Sequence, residues 1–262
     1  LGQSLRQALA AERPDVVVCM TDPPVIGDLA LVAARRFRVP LVVISQDVFP
    51  EIAVALKRLE SGVLVGALRF LVRWYLERAD RVVAIGDTMR QRLIEKGAQP
   101  DRITVIPNWT DTSALSSLPK DNPWSREQGL HDRFVVMHSG NVGHAQNLDA
   151  LVRSMSFLRD LDDLTLAIIG TGARHASLVE LADRLDIDAV HFLPYQPREV
   201  LSQSLSAADL HVVGLAKGLA GYVVPSRLYG ILAAGRPVIA AAEESSETAK
   251  IVRSAGCGVV VE

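Results

Sequence analysis

Short runs of β-branched and aliphatic residues recur along the chain, and each is followed by a longer segment whose apolar residues have helical spacing. This alternation is typical of a parallel β-sheet whose strands are joined by crossover helices. In the first part of the chain we predict strands at 15–20, 41–45, 81–85 and 103–106, with helices at 25–37, 52–78 and 87–96. In the second part we predict strands at 133–138, 164–169, 189–193, 210–214, 237–241 and 257–261, with helices at 146–158, 173–185, 198–208, 226–234 and 246–255.

The hydrophobic period disappears between residues 107 and 132, where prolines and short polar residues dominate. Such a stretch is typical of a connection between domains. We therefore predict an α/β fold of two Rossmann-like domains, with a partial N-terminal domain at 1–112, a linker at 113–132 and a C-terminal domain at 133–262. The chain starts without methionine and stops just after a strand-like run. We expect the first domain to lack its opening strands and the second its final elements.

The composition narrows the classes of function. A hydrophobic content of 49% suffices for two cores, and a formal net charge of -2 provides no overall field to attract nucleic acid. Cys19 and Cys257 each lie in a short apolar run, which favours reduced thiols and a cytoplasmic location.

Residues 1–11 form a helical pattern rather than a signal peptide, and the longest apolar stretch, 62–76, is too short to span a bilayer. The histidines and cysteines lack metal-ligand spacing, so no metal site is predicted.

Two glycine-rich loops directly follow predicted strands of the second domain. They are Ser139-Gly140-Asn141-Val142-Gly143 and Gly170-Thr171-Gly172. Ligands of open α/β sheets bind at the carboxyl ends of the strands, where glycine lets the backbone approach a phosphate closely. The other interpretation is an ordinary turn that needs glycine for its dihedral angles.

Two further loops of this domain carry candidate ligand contacts. Tyr195, between two prolines, either contacts a base or simply packs. Pro225 and Ser226 stand at a predicted helix start with Arg227 in the first turn and Tyr229 just after it. A cation there opposes the helix dipole unless an anion is bound, so Arg227 is either a diphosphate ligand or a solvated arginine.

Taken in order, these segments resemble the group 1 glycosyltransferases of the retaining GT-B fold, in particular those that build bacterial surface polysaccharides. The resemblance covers nearly the whole chain. Its supporting segments are 105–109, 139–143, 169–172, 207–209, 225–227 and 235–238.

The resemblance implies a hexosyltransferase that uses no cofactor. Its donor is a UDP- or GDP-sugar held by the C-terminal domain, and its acceptor is a saccharide or a polyprenyl-diphosphate-linked sugar bound by the N-terminal domain. The first glycine loop would contact the phosphates or the sugar, with backbone N–H groups of Gly140 and Asn141. Arg227 would neutralise the leaving diphosphate together with Ser226, and Tyr195 would lie near the base. The donor-binding set is Gly140, Asn141, Gly143, Gly170, Gly172, Tyr195, Pro225, Ser226 and Tyr229.

Asp47 is the second candidate catalytic residue, after Arg227. The segment 45–51 resembles the loop where relatives place a histidine or aspartate beside the sugar, so Asp47 would contact a donor or acceptor hydroxyl. Its alternative role is to cap the helix that follows.

The sequence departs from the family pattern at four positions. Relatives with a basic pair in the loop after the first strand of the second domain have arginine and lysine where this chain has Asn141 and Gln146. Many relatives carry two glutamates eight positions apart, where this chain has Tyr222 and Gly230. Two alternatives therefore stay open: a nucleotide-sugar 2-epimerase of the same architecture, and a degenerate nucleotide-binding fragment without catalysis.

The apolar segment 55–78 also contains five basic residues. Such a helix either lies on the inner, anionic face of the plasma membrane as a peripheral contact, or packs on the first sheet with its cations solvated.

Overall fold

The computed structural model describes residues 7, 10 and 13–262, so most of the helix predicted over 1–11 lies outside the described residues. By compactness the chain divides into two units. The first holds the described residues up to Pro107 together with Gly218–Val224, and the second holds Asn108–Lys217 and Pro225–Glu262. The segment predicted as a linker, 113–132, lies in the second unit, and the domain boundaries given above stay a prediction.

The described strands of the first unit form a parallel sheet in the order β1-β2-β3-β4. Its core lies between this sheet and the helices that follow the strands. In chain order the elements are β1 (Val17–Met20), α1 (Ile26–Phe37), β2 (Leu41–Ser45), α2 (Glu51–Ala55), α3 (Val63–Leu76), β3 (Arg81–Ala84), α4 (Asp87–Glu95) and β4 (Ile103–Val105).

The helix predicted over 52–78 is wrong as one continuous element. The structure divides it into α2 and α3, with residues 56–62 between them. Lys57 has a φ of 54°, a left-handed conformation that an α-helix does not accommodate, and Gly62 precedes α3. The apolar residues keep their helical spacing across this break, so the sequence pattern gives no sign of it.

The second unit contains a six-stranded parallel sheet in the order β10-β9-β8-β5-β6-β7. This is the doubly wound order of a Rossmann fold, in which the chain moves outward first on one side of β5 and then on the other. In chain order the elements are α5 (Pro123–Glu127), β5 (Phe134–Ser139), α6 (Leu148–Met155), β6 (Leu164–Ile169), α7 (His175–Arg184), β7 (Val190–Leu193), α8 (Leu201–Ser206), β8 (Leu210–Gly214), α9 (Arg227–Ala233), β9 (Val238–Ala241), α10 (Glu247–Ala255) and β10 (Gly258–Val261).

Burial on both faces of this sheet explains the continuous apolar runs of its strands. All six residues of β6 are buried, and two separate clusters pack on its opposite faces, one around Leu166 and Ile168 and the other around Ala167 and Ile169. Among the described residues, no helix is both long and apolar enough to cross a membrane.

His211, in β8, is a buried histidine that the core holds neutral. It is fully buried, its Nε2 lies 2.9 Å from the carbonyl oxygen of Leu205, and its Nδ1 has no hydrogen-bond partner among the described residues. The Nε2 atom must therefore carry the proton and donate it to Leu205. Burial lowers the pKa of His211 from 6.5 to about 4.

We predict an acid-dependent loss of stability from this residue. Above pH 6.5 His211 is neutral in both states, whereas between pH 6.5 and about 4 only the unfolded chain binds the proton. The free energy of unfolding should therefore fall by up to about 1.4 kcal/mol per pH unit as the pH decreases. Urea unfolding of the wild type and of His211→Gln should show a shallower pH slope for the variant, and equal slopes would contradict the neutral assignment.

Candidate active site

The order of strands in the second unit places a crevice between β5 and β8, since the chain leaves these two neighbouring strands in opposite directions. The turn His144–Gln146 packs against the end of β8 there. The N–H of Ala216 donates to the carbonyl of Ala145 at 2.7 Å, and a Cβ on Gly214 would lie only 2.0 Å from the carbonyl oxygen of Gln146. Gly214 is therefore needed for this close approach.

Arg227 reaches this crevice from the first position of α9. Its Nη1 lies 2.6 Å from Nε2 and 3.1 Å from Nδ1 of His138, the fifth residue of β5. Its Nη2 donates to the carbonyl oxygen of Asn141 at 3.4 Å. A Cβ on Gly140 would lie 3.3 Å from the Cζ atom of Arg227, so glycine at this position leaves room for the guanidinium.

The charges of these two groups follow from their burial. His138 is fully buried, and burial together with the charge of Arg227 lowers its pKa to about 3, so the imidazole is neutral near pH 7. Burial also lowers the pKa of Arg227 to about 10, which still leaves the guanidinium charged near pH 7. Within residues 13–262 no aspartate or glutamate forms an ion pair with Arg227. The crevice therefore holds a largely buried cation whose protein partners are all neutral.

His138 is a candidate site residue that the sequence pattern does not distinguish from the other histidines. In the sequence, the only feature that could have identified it as a site residue is its position two residues before Gly140, at the end of a buried strand.

The two glycine loops pack directly against each other. Gly170 has a φ of 133° and Gly172 a φ of 156°, and Cβ atoms there would lie 2.0 Å and 2.3 Å from the carbonyl oxygens of Gly140 and Val142. The N–H of Val142 donates to the carbonyl of Thr171 at 2.9 Å. Both Gly170 and Gly172 are thus explained by backbone packing, and a ligand role for them stays a prediction.

The expectation that Gly140 offers its N–H to a ligand is wrong in this arrangement, because that N–H donates to the carbonyl of Ile169 at 2.8 Å. The N–H of Gly143 is likewise engaged, by the side-chain oxygen of Gln146 at 3.0 Å. Asn141 is exposed at the tip of the loop. Its carbonyl supports Arg227, and its predicted contact with a ligand stays a prediction.

The remaining predicted donor-binding residues differ in exposure. Tyr195 is 70% exposed, so simple packing does not explain it. Pro225 and Ser226 directly precede α9 as predicted, although the Ser226 side chain makes no capping hydrogen bond. The phenol oxygen of Tyr229 is buried without a partner among the described residues, and burial raises its pKa, as does the charge of Glu247 to a smaller extent.

Asp47 belongs to the first unit, two residues after β2. Its backbone N–H donates to Oγ1 of Thr21 at 3.4 Å, and its Oδ1 is buried without a hydrogen-bond partner among the described residues. Burial raises its pKa, and the charge of Asp22 adds to this. The alternative role as a helix cap is not seen, because α2 begins after Pro50 without a side-chain capping bond.

A segment from the second half of the chain, Gly218–Val224, packs in the first unit beside Asp47. We call it the strap. The carbonyl of Tyr222 accepts from the N–H of Val48 at 2.8 Å, Val223 forms an antiparallel bridge with Asp47, and Arg92 lies over the Tyr222 ring at 4.9 Å. Tyr222, which stands where many relatives have a glutamate, therefore has a packing role in this chain.

The fold is similar to that of solved structures that contain UDP or UDP-glucose. The Anabaena protein HepE in complex with UDP superposes with a TM-score of 0.78 at 17% identity, over 99% of this chain and 67% of that one. HepE in complex with UDP-glucose gives a TM-score of 0.77. These likenesses identify the fold as GT-B.

Two bacterial relatives are similar in sequence. The colanic acid biosynthesis glycosyl transferase WcaI of Escherichia coli is 29% identical over 191 residues, which cover 71% of this chain and 47% of WcaI. The glycosyltransferase WbjE of Pseudomonas aeruginosa is 27% identical over 257 residues, which cover 97% of this chain and 64% of WbjE. The chain thus spans between about half and two thirds of the length of these relatives.

Two family models match the chain in succession. The glycosyl transferase 4-like domain matches residues 2–109, and the model of glycosyl transferases group 1 matches residues 121–262, which is more than half of the chain. Together with the two Rossmann-like sheets and the crevice beside β5, this match establishes that the chain belongs to the group 1 glycosyltransferases.

Proposed function

We propose that this protein transfers a hexosyl group from a nucleotide-diphospho-sugar to a saccharide or lipid-linked acceptor, with retention of the anomeric configuration. The observation that carries the proposal is the largely buried guanidinium of Arg227, whose partners among the described residues are all neutral. A buried charge without a counter-charge is costly to the folded state, and an anionic ligand would offset that cost. A diphosphate is the anion that a nucleotide sugar brings.

The chemistry of transfer gives this cation its role. The bond between the anomeric carbon and the diphosphate oxygen breaks, and negative charge develops on the departing nucleoside diphosphate. A fixed cation in a crevice with little water stabilises that charge more strongly than solvent does. In this proposal Arg227 would stabilise the charge without moving, because His138 and the Asn141 carbonyl already hold its guanidinium.

The donor is a UDP- or GDP-sugar in this proposal, in keeping with the UDP and UDP-glucose held by HepE. We further propose that WcaI, as a colanic acid enzyme, indicates the class of pathway, which is polysaccharide biosynthesis for the cell envelope. The protein would act in the cytoplasm, in peripheral contact with the inner face of the plasma membrane, and would need no cofactor.

We predict that Arg227→Ala weakens binding of UDP or GDP by about tenfold or more, because a charge-assisted contact is lost. Isothermal titration calorimetry with each nucleotide measures this loss and also identifies the preferred base. Arg153→Ala, which removes an exposed arginine of the same unit, is the matched control and should bind as the wild type does. Unchanged affinity in Arg227→Ala would refute the assignment of this crevice.

His138 is expected to act as a positioning residue whose neutrality matters. His138→Asn keeps a neutral polar partner and should change nucleotide affinity by about threefold or less. His138→Asp adds a carboxylate that pairs with Arg227, so it should weaken binding by about tenfold or more. Thermal melting checks that both variants are folded.

A double variant that combines His138→Asp with Arg227→Ala provides the control for this interpretation. If His138 acts through Arg227, His138→Asp should have little further effect once the guanidinium is gone. Equal affinities of the Asn and Asp variants, or additive losses in the double variant, would contradict it.

Asp47 is proposed to bind a sugar hydroxyl with its unpartnered carboxylate oxygen. We expect Asp47→Asn to lower kcat for release of nucleoside diphosphate from the donor by about tenfold or more, because a charge-assisted hydrogen bond becomes a neutral one. Nucleotide affinity should stay unchanged. Asp101→Asn, which removes an exposed carboxylate elsewhere in the first unit, is the matched control.

Proton NMR of the first product formed is expected to show the anomeric configuration of the donor. Inversion would refute retention. Nucleotide binding without any turnover, in an otherwise folded chain, would indicate the degenerate fragment instead. An Asp47→Asn variant with full kcat would remove Asp47 from the site.

A further inference from the structure

Thr21 connects the ends of β1 and β2 through its side chain. It directly follows β1, which pairs in parallel with β2, and it is only 6% exposed. Its Oγ1 accepts from the N–H of Gln46 at 3.1 Å and from the N–H of Asp47 at 3.4 Å. The Thr21 hydroxyl therefore ties the loop that carries Asp47 to the end of the neighbouring strand.

These two bonds determine what the Thr21 hydroxyl can still do. A threonine hydroxyl has two lone pairs and one proton, and the two backbone N–H groups take both lone pairs. The proton is left to donate, and the side-chain hydrogen bond goes to the carboxyl group of Asp47. Burial raises the pKa of Asp47, and this bond from Thr21 acts in the opposite direction because it favours the charged carboxylate.

The backbone groups on both sides of the Asp47 side chain are occupied as well. The carbonyl of Asp47 accepts from Oγ of Ser45 at 2.8 Å, and the N–H of Val48 donates to the strap at 2.8 Å. Asp47 also forms its antiparallel bridge with Val223 of the strap. Oδ1 of Asp47, by contrast, is buried without a hydrogen-bond partner among the described residues. The loop is thus fixed by its backbone, and it leaves a carboxylate oxygen for a ligand.

Two acidic groups face the Asp47 carboxyl. The charge of Asp22 raises the pKa of Asp47. Burial raises the pKa of the Tyr75 phenol in α3, and the charge of Asp47 adds to this. Neither acid supplies a counter-charge to the carboxylate. Among the described residues that shift the pKa of Asp47, the Thr21 side chain is the one that favours the charged form.

We propose that Thr21 is a positioning residue, whose hydroxyl keeps the Asp47 carboxylate charged and oriented so that its Oδ1 can accept from a sugar hydroxyl. A carboxylate held by a fixed donor keeps its unpartnered oxygen in one direction, which lowers the cost of ordering it when a ligand binds. The inference rests on the proposed function, in which Asp47 binds a sugar hydroxyl. It adds the group that holds Asp47 in place.

The pKa of Asp47 tests the hydrogen bond without any turnover. Carbon-13 NMR of the side-chain carboxyl group measures it in the 262-residue chain, and Asp47→Asn identifies the signal. Thr21→Val removes the hydroxyl at nearly the same size, so the pKa of Asp47 should rise by about one unit. Thr21→Ser keeps the hydroxyl and should retain the wild-type pKa.

Turnover tests the consequence for the reaction. Thr21→Val should lower kcat for release of nucleoside diphosphate from the donor by about fivefold or more, because the carboxylate is no longer held for the sugar hydroxyl. Nucleotide affinity should stay unchanged, and Thr21→Ser should keep the wild-type kcat. In a double variant with Asp47→Asn, Thr21→Val should cause little further loss, since it acts through Asp47.

Thr104→Val makes the same chemical change at an exposed threonine of the first unit and is the matched control. It should match the wild type in both measurements. Thermal melting checks that each variant is folded. If Thr21→Val does not fold, because two N–H groups lose their acceptor, Thr21→Cys takes its place. Its thiol is a weaker donor, so the pKa of Asp47 should rise by a smaller amount.

The two measurements separate failure of this inference from failure of the proposed transfer. A wild type without turnover, in which Thr21→Val still raises the pKa of Asp47, would refute the transfer and support the role of Thr21 in holding the carboxylate. Equal pKa values of Asp47 in the wild type and in Thr21→Val would overturn the inference. So would a Thr21→Val variant with full kcat, or a Thr21→Ser variant that loses as much as Thr21→Val.

Discussion

The buried guanidinium of Arg227 is the constraint on which the candidate site depends. In the part of the chain that the structure describes, it contacts an imidazole kept neutral by burial and a backbone carbonyl, and the missing Cβ of a glycine leaves space for it. A carboxylate in place of the imidazole would pair with the cation. Among the described residues no carboxylate pairs with this cation. Its charge is a cost to folding, and we propose that it is a source of affinity for anions.

Packing between the two glycine loops supports this arrangement. The turn after β6 approaches the turn after β5 so closely that side chains at 170 and 172 would overlap backbone atoms. The hydrogen bonds between the two turns fix the Asn141 carbonyl, which in turn contacts Arg227. A glycine-rich pattern that suggests phosphate binding thus has a second physical cause, and the sequence alone does not separate the two.

The sequence predicts the fold well because a strand buried on both faces has a simple signature. Runs such as 164–169 and the helical spacing after them determine a parallel sheet, and the structure has it. The start of α9 is also predictable, since Pro225 and Ser226 precede Arg227. The contact of Arg227 with His138, 89 residues earlier, is not predictable, because it depends on strand order rather than on local pattern. The break between α2 and α3 is not predictable for a related reason. The apolar residues keep their helical spacing through a segment whose backbone is not helical.

The strap changes where the chain divides between its two units. Leu219, Ala220 and Val224 are buried in the first unit, although they are encoded after most of the second. A hybrid gene joined near residue 107 would therefore combine the first core of one parent with the strap of the other, and the two would have to match in shape. Exchange of the first unit between relatives, in the laboratory or in evolution, would succeed only if residues 218–224 were exchanged with it.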